Sequence, residues 1–277
     1  MKRTVAFADG TEFPLIGLGV MAIPDRDVPA AMRAAVELGY RSFDTAAVYR
    51  NERGTGIGVR ECGLPRQEVF VTTKLWNARQ GYDEALHAFD ESMTTLGLDV
   101  LDLYLIHWPV PTKGRYVDSW RALVRLKEEG RVRSIGVSNF LPEHLERIIG
   151  ETGVAPALNQ VELHPSYQQR ELRKVHARHG IVTEAWSPLG RGAALADPQV
   201  VALAKRFGCS PAQLILAWLA QEGVVTIPKA ASKQHMQENM QSLDITLDGE
   251  TLSALAAFDR PDGRFGPDPA TFETISR

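Results

Sequence analysis

Apolar runs of four to six residues alternate along the chain with longer stretches in which apolar positions return every three or four residues. The short runs have the length of strands buried on both faces; the longer stretches have helical periodicity. The runs fall at 15–20, 41–44, 69–74, 101–106, 132–137, 156–160, 181–185 and 223–227. Helical patterns lie at 28–38, 52–62, 83–97, 117–129, 142–150, 168–178, 198–207 and 233–241, with two more at 211–221 and 249–258. Ser210 followed by Pro211 reads as an N-cap with proline at the first helical position. An Asp9–Gly10 pair between two short extended stretches predicts a hairpin over residues 4–14.

Eight strands alternating with helices predict an α/β fold, a closed (β/α)8 barrel. The rival, an open doubly wound sheet, places a glycine-rich turn after its first strand. Gly17 and Gly19 lack the third glycine, and the glycines at 54–58 have the wrong spacing inside a helical pattern. No phosphate loop of the P-loop type is present. Without linker or repeat, residues 1–277 read as one domain, with the Gly-, Pro- and Asp-rich tail at 261–277 lying over the barrel.

Composition narrows the partners. Thirty-one basic and 34 acidic residues leave a net charge of −3, too weak a field for a nucleic-acid or anionic-membrane binder. Two distant cysteines, Cys62 and Cys209, support neither a disulfide framework nor a cysteine-rich zinc site. No apolar segment follows the N-terminal basic pair, and no window approaches the roughly 18 apolar residues of a membrane span. A cytoplasmic location follows as the expectation.

In such a barrel, function gathers where strands end and the following loops begin. Asp44 ends the second strand, with Tyr49 in the loop beyond it; Lys74 ends the third and His107 the fourth. Ser138 and Asn139 end the fifth, Asn159 and Gln160 the sixth, while Trp186 and Ser187 follow the seventh and Pro228 and Lys229 the eighth. Each alone would be an ordinary loop residue; together they form a constellation. A free tyrosine has a pKa near 10, too high for easy proton donation at neutral pH, and a neighbouring ammonium favours its phenolate. A carboxylate such as Asp44 would hold that ammonium, and an imidazole opposite could orient a carbonyl oxygen. This suits reduction of a carbonyl, with acid at oxygen and hydride at carbon, the hydride coming from a nicotinamide or flavin.

The stretches FDTAAVYRNE (43–52), TTKLWN (72–77), DLYLIHWP (102–109), IGVSNF (135–140), NQVELHP (159–165) and IPK (227–229) resemble the signature segments of the aldo-keto reductase family. Across NQVELHPSYQQREL the chain is most similar to the bacterial 2,5-diketo-D-gluconic acid reductases. The resemblance implies a monomeric barrel that uses NADPH, sometimes NADH, to reduce aldehydes and ketones. It implies Tyr49 as the acid, Lys74 and Asp44 as the pair beside it, and His107 as the residue orienting the carbonyl. Ser138, Asn139 and Gln160 would hold the nicotinamide carboxamide. Trp186, at a place often held by tyrosine, would stack on the ring. Ser187, Leu189 and Gly190 would follow the pyrophosphate, Lys229 the 2′-phosphate, and Glu238 and Asn239 the adenine. NADPH-preferring members place Ser or Thr after the lysine and an arginine a few residues on; here stand Ala230 and His235. Neither matches those groups, so measurable NADH use is expected.

Met21, Trp76 and Trp108 are expected to wall the substrate pocket, with the 110–118 loop and the tail. Trp120 and Trp218 read as helix packing, His164 as structural, and His87, His144, His176 and His179 as solvent-facing or capping. A metal hydrolase on this fold would need several converging ligands, and the strand ends offer Asp44 and His107 alone, so no metal is expected. A non-catalytic cofactor-binding scaffold is the other alternative; it would be expected to have lost part of the four-residue centre.

Overall fold

The computed structural model describes residues 3–230 and 232–275; part of the predicted tail, residues 276 and 277, lies outside them. A hairpin opens the chain: β1 (Thr4–Ala6) pairs antiparallel with β2 (Glu12–Pro14), turning at Asp9 and Gly10. Then come β3 (Leu18–Gly19), β4 (Ser42–Asp44), β5 (Phe70–Leu75), β6 (Leu101–Ile106), β7 (Val132–Ser138), β8 (Leu158–Glu162), β9 (Val182–Trp186) and β10 (Val225–Thr226). These eight form one parallel sheet in sequential order. A parallel bridge between Ile16 and Thr226 joins its first and last strands, with Gly17 N–H to the Thr226 carbonyl at 2.9 Å. The predicted barrel is therefore present and its seam is joined.

The seam strands are shorter than the apolar runs at 15–20 and 223–227 suggested. At Gly17 a Cβ would sit 3.1 Å from Ser42 Oγ and 3.2 Å from an Ile227 methyl, so the glycine permits the close approach there.

Among the described residues, ten α-helices pack outside: α1 (Val28–Glu37), α2 (Glu52–Glu61), α3 (Tyr82–Leu96), α4 (Tyr116–Glu128), α5 (Pro142–Thr152), α6 (Arg170–His179), α7 (Pro198–Arg206), α8 (Pro211–Gln221), α9 (Lys233–Gln241) and α10 (Gly249–Ala256). The Ser210 cap is as read, its Oγ accepting from Gln213 N–H while the Gln213 side chain accepts from Ser210 N–H. Among the described residues no single helix is long and apolar enough to cross a membrane.

The hairpin closes the end where strands begin. Phe13 is fully buried and its ring lies 4.6 Å from Phe70 at the start of β5 and 5.1 Å from Phe7. Blocking that end leaves the opposite mouth for chemistry. Trp120 and Trp218 are core, as expected. His144 caps α5, accepting from Leu141 N–H. His176 is a correction: it is neither solvent-facing nor a cap. It sits buried on α6 between Asn159 and Thr183, and burial lowers its pKa to about 3. A ring that a helix turns toward the sheet packs like any core side chain once both its nitrogens have partners.

Candidate active site

Local folding first places the tyrosine. After β4 the chain makes a short helical turn, Ala47–Tyr49, and reverses at Arg50, whose φ is 58°. Asn51 holds this loop down, donating to the Val20 and Ile23 carbonyls at 2.8 and 3.1 Å while Thr45 Oγ1 donates to its Oδ1 at 2.6 Å. Tyr49 is left half-buried with its hydroxyl at the mouth, 3.4 Å from His107 Nε2.

Beneath the tyrosine lies a buried ion pair. Lys74 Nζ donates to Asp44 Oδ1 at 2.5 Å and to the Thr45 carbonyl at 2.9 Å, and lies 5.1 Å from the centre of the Tyr49 ring. Burial alone would depress the ammonium, but the charge of Asp44, with Tyr49 and Glu184 behind it, raises its pKa above the usual 10.5. Lys74 therefore stays charged. His107 goes the other way: burial, then the Lys74 charge, hold its pKa well below 6.5, so the imidazole is neutral. Two groups at the ends of β4 and β5, one just past β6 and one in a loop thus converge at the mouth.

The residues around them are tied to one another. Ser138 and Gln160 are register partners, as are Gln160 and Glu184. Ser138 Oγ donates to the Gln160 carbonyl at 2.8 Å. Asn139, at φ 63°, donates to the His107 carbonyl and to Ser138 Oγ, both at 3.0 Å, and accepts the Trp186 indole N–H at 2.8 Å. The half-buried Trp186 ring is therefore fixed by its edge. Gln160 Nε2 donates to Asp44 Oδ2 and to Glu184 Oε2. Asn159, in contrast, points away from this cluster toward Phe140 and His176.

Beyond β9 the backbone enters the left-handed region at Ser187 (φ 51°), Gly190 (φ 55°) and Arg191 (φ 54°), with Leu189 half-buried between them. Such turns gather backbone N–H groups into a concavity suited to an anion. Lys229, in the loop before α9, and His235, in its first turn, are exposed, and Ser232 caps the helix by accepting from His235 N–H. Ala230 is buried there and offers no side-chain hydrogen bond. Glu238 is half-buried, accepting from Gln234, and Asn239 is buried beside the Tyr40 hydroxyl.

The pocket walls include the tail. Trp76 stands edge-on to His107 at 5.3 Å and donates to the Ile275 carbonyl at 3.3 Å. Trp108, nearly buried, packs on Phe272 at 4.4 Å. Met21 is 64 % exposed, at the rim rather than in a wall.

The sequence pattern does not single out Glu162, the register partner of Trp186 between β8 and β9. Its two oxygens accept the Phe265 and Gly266 N–H groups at 2.6 and 2.8 Å, and His164 Nε2 lies 3.1 Å from Oε1. Gly266 has no room for a Cβ, which would fall 2.5 Å from Trp186 Cη2. This carboxylate clamps the tail over the mouth. Burial would raise its pKa, but His164 and the two N–H groups outweigh that and lower it below the usual 4.5. A carboxyl with a depressed pKa stabilises the fold above its ordinary value, and that contribution is lost as pH falls below 4.5. Glu162→Gln is expected to set an amide N–H₂ against a backbone N–H. The tail should loosen and KM for the carbonyl substrate rise about 10-fold, an amount matching one lost charge-assisted bond. Steady-state kinetics and tail proteolysis check this; an unchanged KM and unchanged cleavage would rule out the clamp.

Residues 15–260 match the model of the Aldo/keto reductase family. The chain belongs to this family. It is 49 % identical over 272 residues to an aldo-keto reductase of Mycolicibacterium smegmatis, covering 98 % of each chain. It is 45 % identical over 270 residues to a glyoxal reductase of Bacillus subtilis, covering 97 % of each. A crystal structure of a Gox0644 variant in complex with NADPH superposes with a TM-score of 0.94 at 47 % identity, covering 98 % of this chain and 99 % of that one. Membership makes the chain an enzyme of nicotinamide-dependent carbonyl reduction. Among the described residues of this aldo-keto reductase, no three His, Cys, Asp or Glu side chains cluster as metal ligands.

Proposed function

We propose that this chain reduces small α-dicarbonyls and related aldehydes and ketones to alcohols with NADPH, and that Tyr49 donates the proton. The observation that carries the reading is the Asp44–Lys74–Tyr49–His107 cluster at the open mouth of the barrel. The likeness to a glyoxal reductase favours short dicarbonyls; a diketo sugar acid such as 2,5-diketo-D-gluconate is a larger member of the same class.

The donor set fits a phosphorylated dinucleotide. The left-handed turns at Ser187, Gly190 and Arg191 and the cation Lys229 suit phosphates, and the half-buried face of Trp186 suits a flat ring. Ser187, Leu189 and Gly190 would run along the pyrophosphate, Lys229 and His235 beside the 2′-phosphate, and Glu238 and Asn239 near the base. Ser138 and Asn139 serve by fixing their neighbours, and Gln160 offers its own amide. The bound reduced nicotinamide supplies the hydride.

Tyr49 and His107 do the rest. A carbonyl oxygen placed between the Tyr49 hydroxyl and His107 Nε2 would meet two donors, a neutral imidazole and an acid. Lys74, held charged by Asp44, stabilises the negative charge left when the phenol gives up its proton. Trp76, Trp108 and Phe272 exclude water around the substrate, with Met21 at the rim. All four reacting groups come from one chain, so a monomer suffices.

The test is cofactor oxidation with glyoxal, methylglyoxal, keto acids and simple aldehydes, under NADPH and under NADH. Turnover fastest with α-dicarbonyls is expected. No turnover across the panel despite saturable cofactor binding would leave the non-catalytic scaffold instead. Ala230 and His235 weaken the grip on the 2′-phosphate, so the ratio of kcat/KM for NADPH over NADH should fall below about 10³, roughly 4 kcal/mol. A larger ratio would mean that other groups hold the phosphate.

A further inference from the structure

Gln160 on β8 and Glu184 on β9 stand side by side in register, and both side chains are buried in the barrel interior. Gln160 Nε2 donates to Asp44 Oδ2 at 2.8 Å and to Glu184 Oε2 at 2.7 Å. A primary carboxamide has two N–H protons and one acceptor oxygen. Both protons are committed to carboxyl oxygens, which leaves Oε1 as the side-chain atom with which Gln160 can meet a ligand. We infer that Glu184 is a positioning residue: through Gln160 it makes the site present an acceptor to the nicotinamide carboxamide, and so selects its amide N–H₂ as the partner. The inference rests on the reading of Gln160 as a nicotinamide ligand.

Asp44 by itself would hold only one proton of the Gln160 amide, and its other oxygen is taken by Lys74. With Glu184 present, an inverted amide would give up both of these N–H donations and point its oxygen at the Asp44 carboxylate. The chemistry of Glu184 suits this work. It is faced by Asp44, Lys74 and Gln160, and burial and then the Asp44 charge raise its pKa to about 8. The raised pKa lessens the charge that Glu184 sets against the Lys74–Asp44 pair, while its Oε2 accepts from Gln160. An apolar side chain would fill the space and lose the orientation; a permanently charged one would compete with Asp44 for Lys74.

The experiment compares binding of NADPH with that of its acetylpyridine analogue, in which a methyl ketone replaces the carboxamide and cannot donate. Affinities are read by quenching of tryptophan fluorescence, with melting temperatures taken alongside. Wild type is expected to prefer NADPH about 10-fold, the size of one good hydrogen bond. Glu184→Gln keeps an acceptor oxygen and should retain that preference within about 2-fold. Glu184→Met removes the acceptor, and the preference should collapse below about 3-fold in a folded protein. A Met variant that kept the wild-type preference would overturn the inference. So would a Gln variant that lost it as fully as Met, since charge and not orientation would then be at work. Wild type that showed no preference, with Gln160→Met binding NADPH normally, would instead remove Gln160 from the nicotinamide site and the inference with it.

Discussion

Replacing Tyr49 by Phe is expected to leave NADPH affinity within about 2-fold and to lower kcat by more than about 10²-fold. The change removes one oxygen. The ring remains over the Lys74 ammonium, 5.1 Å from its centre, so packing and the buried ion pair should survive. What is lost is the hydroxyl 3.4 Å from His107 Nε2, which combines an ionisable proton with the Lys74 cation behind it. His107 cannot replace it as an acid, because burial and the Lys74 charge keep its imidazole neutral. It can still donate a hydrogen bond, which leaves some residual rate. Transient kinetics with NADPH and methylglyoxal would measure both quantities. Near-normal turnover in the variant would remove Tyr49 from the chemistry and move the proton donor elsewhere.

Lys74→Met should be costly twice over. The side chain has similar length but no charge, and it leaves Asp44 buried with Gln160 as its remaining donor. Breaking a buried pair from one side costs about 3–5 kcal/mol unless the orphan takes up a proton. The Thr45 carbonyl also loses its donor. We expect a loss of about 3 kcal/mol in denaturant unfolding and a fall in kcat of about 10²-fold or more, since no cation then faces the departing Tyr49 proton. The double variant Lys74→Met with Asp44→Asn separates the two effects. Its stability should recover by more than about 1 kcal/mol, because a neutral amide replaces the orphaned carboxylate, while its activity should not recover. Activity restored along with stability would mean that Lys74 serves only to hold the fold.

Much of this site could be read along the chain. Helices fall within about two residues of the periodic stretches, and the strand-end residues Asp44, Lys74, His107, Ser138 and Gln160 all lie at one end of the barrel. That follows from local rules. A parallel strand followed by a helix sends every strand the same way, so the last residues of each strand gather at one mouth. Tyr49 could be read for the same reason, being five residues past Asp44 in a tight loop.

Other features left no local signal. Asn159 and Gln160 are adjacent and chemically alike, yet one faces His176 under a helix and the other faces Asp44 in the barrel, because strand side chains alternate. Alternation says that they differ, while only the packed sheet decides which one points inward. His176 looked like a surface residue at the end of a polar helix until the sheet supplied Asn159 and Thr183 as its partners.

The sequence by itself determined the order of strands and helices, the closed barrel and the identity of the four groups at its mouth, because each depends on periodicity or on a residue's distance from its own strand end. The tertiary structure alone decided the partners of Glu162 and Glu184. Glu162 meets Phe265 across 103 positions, and Gln160 meets Asp44 across 116. A hydrogen bond over that separation depends on where the barrel closes and how its strands register, and neither is written in the residues on either side of the bond.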